Sequence, residues 1–163
     1  MGQGPASRAC CCGSGAGVPA AFVCPACGQP GRSVSIGTLR ALLDPRWGDA
    51  VTEGPWRFCD RPACEVVYFG AEAAPVFRKN QLTVRVGIKE TAPPHPLCYC
   101  FGHSEESLRA EWQATGRLDS VEALRAAVKA GRCQCDVMNP SGACCLGEVL
   151  KAAQALRGAA AAP

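Results

Sequence analysis

The chain has 163 residues, 13 of them cysteine, and a formal net charge of +3. It contains no long run of Lys or Arg, which argues against a nucleic acid as the main partner. Only 6% of the residues are aromatic and 19% are charged, so a core of large side chains would be thin and metal crosslinks would help to hold the fold.

Residues 1–20 are rich in small residues and proline, and we expect them to form a disordered arm. The arm carries three adjacent cysteines, Cys10, Cys11 and Cys12. Adjacent thiolates suit Cu(I), although the simpler interpretation is that the triplet is an incidental part of a mobile segment. The arm contains a single positive charge and no apolar stretch of the length that a signal peptide needs.

Residues 21–92 are predicted to form a small lobe with β structure. Residues 38–43 favour one or two helical turns, and the β-branched and aromatic residues 65–69 favour a strand. Residues 82–89 alternate between apolar and polar side chains, which predicts a half-buried strand whose solvent face includes Lys89.

A proline-rich linker precedes a helical lobe, residues 93–157, and residues 158–163 are expected to be a disordered tail. Ser104 is placed to cap the first helix, and Asp119 is placed to cap the second, which Gly131 can end. A third helix is predicted from about residue 145 to 157. The chain has no run of about 18 apolar residues, so we expect no membrane insertion.

The odd number of cysteines means that intramolecular disulfides cannot pair every thiol. Without an export signal the thiols are expected to stay reduced in the cytoplasm, where cysteine patterns are metal-binding or catalytic. The first lobe has a C-x-x-C pair and a second pair with four intervening residues: Cys24, Cys27, Cys59 and Cys64. These four thiolates would satisfy a tetrahedral Zn²⁺, while a redox C-x-x-C or a set of buried thiols is the alternative.

The helical lobe has six cysteines, more than one tetrahedral zinc needs: Cys98, Cys100, Cys133, Cys135, Cys144 and Cys145. A C-x-C pair, then helices, then a cluster just before a last helix resembles the bacterioferritin-associated ferredoxin type. That resemblance implies a 2Fe–2S cluster held by four thiolates. A second zinc or a partly redundant group of thiols is the alternative.

Four motifs together resemble the N-terminal domain of CopZ-type copper chaperones, over roughly residues 22–150. They are CDRPACEVVYF (59–69), VFRKNQLTVRVGIKE (76–90), CYC (98–100) and NPSGACC (139–145). The resemblance implies one zinc site and one 2Fe–2S cluster in a single domain, and a copper-transporting ATPase or a separate copper carrier as partner. The M-x-C-x-x-C copper loop of that family does not occur in these 163 residues, so we expect the copper-carrying module to be missing here.

The resemblance also selects the ligands of the cluster, which are Cys98, Cys100, Cys135 and Cys145. Cys135 lies four residues before Asn139, as the family's ligand before the turn does, and Cys145 precedes apolar residues spaced as in the bacterioferritin-associated ferredoxins. Cys133 and Cys144 are then spare thiols that could replace them. His95 and His103 lack the spacing of a Rieske site, so we do not expect them to be ligands.

The sequence therefore predicts an α+β protein with a zinc-stapled small β lobe followed by a helical 2Fe–2S-binding lobe. Its leading function is copper or heavy-metal homeostasis, with one-electron reduction of Cu(II) to Cu(I) and transient binding of Cu(I). A ferredoxin-like electron-transfer module and a purely structural zinc adaptor are the alternatives. No hydrolytic or group-transfer site is visible, so metal reduction is the one enzymatic activity that the sequence suggests.

Overall fold

The structure is a computed structural model that describes residues 22–71 and 74–159. The predicted arm and its three cysteines lie outside the described residues, as do the last four residues of the tail. Within the described ranges, no helix is long and apolar enough to cross a membrane.

A four-stranded antiparallel sheet organises the first half of the chain. The strands are β1 (Arg32–Val34), β2 (Trp56–Phe58), β3 (Val66–Phe69) and β4 (Val76–Arg78), and they pair in that order. All four residues of β3 are buried, as expected for an inner strand packed on both faces. The predicted strand over residues 65–69 is therefore confirmed.

Helix α1 (Ile36–Leu42) follows β1 and begins at Ser35, whose hydroxyl accepts a hydrogen bond from the Thr38 amide at 3.1 Å. This is the usual way in which a serine satisfies an unpaired amide at a helix start. Helix α1 confirms the helical turns predicted around residues 38–43. One core of the first half packs α1 against the sheet, with Leu39, Trp56 and Tyr68 almost completely buried.

The alternating residues 82–88 do not form the predicted strand. Leu82 makes an isolated bridge to Leu43, and a 3₁₀ turn, Gly87–Lys89, ends the stretch. Gly87 packs so closely on the next segment that a Cβ added to it would lie 1.9 Å from the carbonyl oxygen of Pro96. This tertiary contact overrides the local pattern. The backbone here packs against the next segment and does not add a fifth strand to the sheet.

The second half consists of a short hairpin and four helices. The hairpin pairs β5 (Pro96–Cys98) with β6 (His103–Ser104). The helices are α2 (Glu105–Thr115), α3 (Asp119–Lys129), α4 (Cys135–Met138) and α5 (Leu146–Ala159). The fold is thus a mixture of helix and sheet, as the α+β prediction requires.

The helix boundaries follow the predicted caps with one exception. Ser104 caps α2 by accepting a hydrogen bond from the Ser107 amide at 3.1 Å, and Gly131 adopts a positive φ of 67° just after α3. Asp119 does not cap α3, since its carboxylate pairs with Arg117 at 2.9 Å. The carboxylate of Glu111 instead accepts from the Ser120 amide at 3.0 Å, so a neighbouring helix supplies the missing acceptor.

The two halves of the chain are joined by directed hydrogen bonds as well as by packing. The buried hydroxyl of Thr38 donates to the carbonyl oxygen of Asp136, at 2.6 Å, and so ties α1 to α4. The Tyr99 hydroxyl accepts from the Gly87 amide and donates to the Arg85 carbonyl, both at 2.9 Å. These bonds set the position of the second half relative to the sheet.

Candidate metal centres

The first cysteine set sits on two loops at one end of the sheet. The first loop turns tightly, because the Gly28 amide donates to the Cys24 carbonyl at 2.8 Å and Gly28 adopts a positive φ of 68°. The second loop runs from Cys59 to Cys64, and the Cys64 amide donates to the Arg61 carbonyl at 3.1 Å. Antiparallel pairing of β2 with β3 then brings the two ends of that loop together.

The four sulfur atoms of Cys24, Cys27, Cys59 and Cys64 form one compact group, each within 4.8 Å of all the others. The Sγ atoms of Cys24 and Cys64 are 3.8 Å apart, and those of Cys27 and Cys59 are 3.6 Å apart. Tetrahedral Zn²⁺ with bonds of about 2.3 Å places neighbouring sulfurs about 3.8 Å apart. The donor set and its spacing therefore fit one zinc ion.

Burial controls the acidity of these thiols. Desolvation raises the pKa of Cys59 to about 12, and it also raises the pKa of Cys24. Cys27 is different, because a hydrogen bond from the backbone of Gln29 lowers its pKa. Since zinc binds the thiolate, the ion must displace protons from the buried cysteines when it enters the site.

One residue beside the first site was placed wrongly by the sequence pattern. Lys89 was predicted on the solvent face of a strand, yet it is only 2% exposed. Its ammonium donates to the Arg61 carbonyl at 2.7 Å and to the Cys64 carbonyl at 3.0 Å. No sequence signal marked it, because its burial comes from the 3₁₀ turn that replaces the predicted strand.

The second cysteine set is assembled from the hairpin, the short helix α4 and the start of α5. Cys98 ends β5, and Cys100 lies in the hairpin turn. Cys135 is the first residue of α4, and Cys145 immediately precedes α5, whose Val149 amide donates to the Cys145 carbonyl at 3.1 Å. The sulfur of Cys145 therefore sits at a helix N-terminus, which favours a thiolate.

A polar turn holds Cys135 and Cys145 at their separation. Asn139 is 8% exposed, and its side-chain amide donates to the Ala143 carbonyl at 2.8 Å. Its side-chain oxygen accepts from the Ser141 amide and hydroxyl, both at 3.1 Å. These three hydrogen bonds stabilise the turn between the two cysteines.

The sulfurs of the second set are close but more spread out than those of the first. Cys135 Sγ lies 3.8 Å from Cys100 Sγ and 3.9 Å from Cys145 Sγ. Among the described residues, only the first set has every sulfur within 4.8 Å of the others. The second set is therefore a more open donor set than the compact one that a single tetrahedral zinc requires.

The thiols of the second set also differ in acidity. Hydrogen bonds from Cys145 lower the pKa of Cys135 to about 5 and that of Cys98 to about 7. Burial raises the pKa of Cys100 to about 11, and hydrogen bonds to its neighbours raise that of Cys145. Hydrogen bonding within the set therefore makes Cys135 and Cys98 more acidic than ordinary cysteines.

The remaining candidates lie around this second set. Cys133 is half-buried and packs against the same core, while Cys144 is exposed. Cys144 and Cys145 line a cavity of about 170 Å³ together with His95 and Tyr99. The Nδ1 atom of His95 lies 2.6 Å from Glu106, so that nitrogen is engaged by a carboxylate.

The first cysteine set lies within the range that a known protein family matches. A family model described as a zinc binding domain, zf_CopZ, matches residues 21–83. The copper chaperone CopZ of Archaeoglobus fulgidus is 38% identical over 124 residues, which are 75% of this chain and 57% of that protein. The chain therefore spans little more than half the length of this curated relative.

This chain is also similar to a solved structure, and here the match covers nearly all of the other protein's chain. It is the X-ray structure of the Archaeoglobus fulgidus CopZ N-terminal domain, with a TM-score of 0.65 and 35% sequence identity. The match covers 80% of this chain and 96% of that one. The zinc-binding family model and the compact group of four cysteines together support Zn²⁺ as the metal of the first site.

Proposed function

The chain belongs to the family of the CopZ N-terminal domain, and from that premise we propose that it is a redox-active copper-chaperone-type protein of metal homeostasis. In this proposal the first site binds zinc and the second binds a 2Fe–2S cluster. The protein works in the cytoplasm, where it reduces Cu(II) to Cu(I) and passes the ion to a copper-transporting ATPase or a separate carrier.

The observation that carries the proposal is the presence of two thiol sets with different geometry in one fold. The compact set has the sulfur spacing of a single tetrahedral ion, with 3.6 and 3.8 Å between its paired sulfurs. The open set has four thiols on three separate elements, and two of them have lowered pKa values. Zinc is redox-inert, so the first site supports the fold and the second supplies the redox chemistry.

The ligands proposed for zinc are Cys24, Cys27, Cys59 and Cys64, and those proposed for the cluster are Cys98, Cys100, Cys135 and Cys145. A reduced 2Fe–2S cluster supplies one electron. Cys144 borders the cavity beside the ligand Cys145, so its thiolate is placed to hold the Cu(I) product next to the electron source. Cys10–Cys12 would offer further soft ligands.

Metal analysis tests the two sites together. Protein purified without oxygen should contain about one zinc, two irons and two acid-labile sulfides per chain. Visible absorption reports the cluster independently of the iron count. A colourless protein with two zincs, and no sulfide after reconstitution, would remove the iron–sulfur assignment.

Serine variants assign the ligands. Each change in the first set should lose zinc and weaken the first lobe, because metal-binding energy is also folding energy. Each change in the second set should bleach the cluster and leave zinc in place, and a change in the arm should do neither. Bleaching by Cys133→Ser or Cys144→Ser, with Cys135→Ser or Cys145→Ser still coloured, would show that Cys133 or Cys144 is a ligand in place of Cys135 or Cys145.

The copper step is tested with dithionite-reduced protein mixed with Cu(II) under nitrogen. About one equivalent of Cu(I) should form per cluster, because one such cluster stores one electron. A Cu(I)-specific chelator and the visible spectrum are followed in the same sample. If Cu(I) formation and cluster oxidation are not coupled, or if Cu(II) only strips zinc and iron, the copper role is wrong.

A second candidate is an electron-transfer module without a copper role. The open cysteine set favours it as well, since a cluster bound there would be enough for that function. The same experiment separates the two functions, since an electron-transfer module would give a reducible cluster that Cu(II) does not oxidise stoichiometrically.

A further inference from the structure

Among the described residues, Lys89 is the one charged residue that is buried, with 2% of its surface exposed. Burying an ammonium costs several kcal/mol unless a negative charge lies nearby. In the described part of the chain, no carboxylate lies within 4 Å of its nitrogen. Within the described ranges, the fold therefore buries a positive charge beside no carboxylate counter-charge.

The contacts of Lys89 point to the zinc site. Its two donated bonds go to the carbonyls of Arg61 and Cys64, inside the loop that carries two of the cysteines. A zinc ion with four thiolates carries a net charge of about −2, which is the counter-charge that the ammonium lacks.

We propose that Lys89 is the buried counter-charge of the zinc thiolate site and holds the Cys59–Cys64 loop in the zinc-binding conformation. This rests on the proposal that the first site binds zinc. Lys89 touches no metal and acts through the ligands, so it is a positioning residue. It lies beyond the zinc-binding family match, which ends at residue 83, so the segment leading into the second half of the chain completes the first site.

The length of its side chain lets Lys89 serve two elements at once. Its backbone is fixed in the 3₁₀ turn, where its amide donates to the Val86 carbonyl at 2.7 Å and its carbonyl accepts from Lys79 at 3.2 Å. Its ammonium then crosses to the loop and lies 5.9 Å from the centre of the Phe58 ring. An apolar side chain at this position would leave the carbonyls of Arg61 and Cys64 without this donor.

The test compares zinc affinity at one fixed pH by competition with a chelator, using the full-length protein. Lys89→Met should weaken zinc binding by about 10- to 100-fold, the range found when outer partners of metal ligands are removed. Lys89→Arg, which keeps the charge, should weaken zinc binding less than Lys89→Met does. Lys151→Met is the matched control, because Lys151 is exposed on α5, and it should bind zinc as the native protein does.

Co(II) in place of zinc separates charge from packing. Loss of a neighbouring positive charge makes the thiolates more electron-rich, so the sulfur-to-cobalt charge-transfer band of Lys89→Met should move to lower energy. Lys89→Arg should keep the native band. Lys89→Gln, which is neutral but still a donor, replaces Lys89→Met in both measurements if Lys89→Met does not fold.

Three results would overturn the proposal: native zinc affinity in the neutral variant, an unshifted band with weakened affinity, or an arginine variant as weak as the neutral one. Failure of the native protein to bind zinc would instead refute the zinc assignment itself. The native measurement thus tests the site, and the ratio between variants tests Lys89.

Discussion

Replacing Asn139 with alanine should disturb the turn between Cys135 and Cys145. The native side chain is 8% exposed and makes three hydrogen bonds, to the Ala143 carbonyl and to the amide and hydroxyl of Ser141. The Ser141 hydroxyl can turn to another acceptor, but the amide and the carbonyl are fixed. Each partly buried backbone group left without a partner costs about 1–2 kcal/mol, so the loss should be about 2–4 kcal/mol.

The loss is measured as the change in free energy of unfolding, from denaturant titrations of the protein with both sites loaded. A second measurement is the rate at which a chelator bleaches the cluster, which should rise because the turn spaces two of the proposed ligands. Asn80→Ala is the matched control, since Asn80 is exposed in the 3₁₀ turn Lys79–Gln81. A change below about 0.5 kcal/mol in Asn139→Ala, the size expected at an ordinary surface position, would refute the reasoning.

Three further changes test other parts of the structure. Thr38→Val should cost about 1–3 kcal/mol of stability, because it removes the 2.6 Å hydrogen bond from α1 to a carbonyl of α4. Gly87→Ala should destabilise the protein by more than about 3 kcal/mol or prevent folding, since the new Cβ would lie 1.9 Å from the Pro96 oxygen. Zinc affinity should rise with pH through the neutral range, because the pKa of Cys59 is raised to about 12 and protons compete with the ion for the thiolate.

Each substitution has a matched control variant, and each of the three predictions has a result that would contradict it. Thr38→Ser keeps the hydroxyl and should behave nearly as the native protein; equal losses in Ser and Val would assign the effect to packing. Gly147→Ala adds a methyl group to open space in α5, so it should be neutral or slightly stabilising, and native stability in Gly87→Ala would contradict the close approach. A zinc affinity that is flat between about pH 6 and 8 would mean that the free thiols are already ionised.

Local patterns in the sequence were sufficient where the interacting groups are neighbours in the chain. The start of α2 at Ser104 and the end of α3 before Gly131 depend on bonds within a few residues, and both were predicted. The tight turn that follows Cys24 is equally local, since it is closed by a bond from the Gly28 amide to the Cys24 carbonyl. The predicted lobe boundaries, the ligand assignments and the roles of the spare cysteines stay predictions.

Tertiary structure decided the features whose partners are distant in sequence. The stretch 82–88 has the alternation of a strand, but close packing of Gly87 on Pro96 prevents it from joining the sheet. The same departure carries Lys89 from its predicted solvent face into the interior beside Cys64. The sequence by itself determined which cysteines can bind metal and the local turns that hold them. Only the packing of the sheet against the second half of the chain decided which charges and carbonyl groups surround those cysteines. The reason is that burial and electrostatics depend on neighbours that no local pattern specifies.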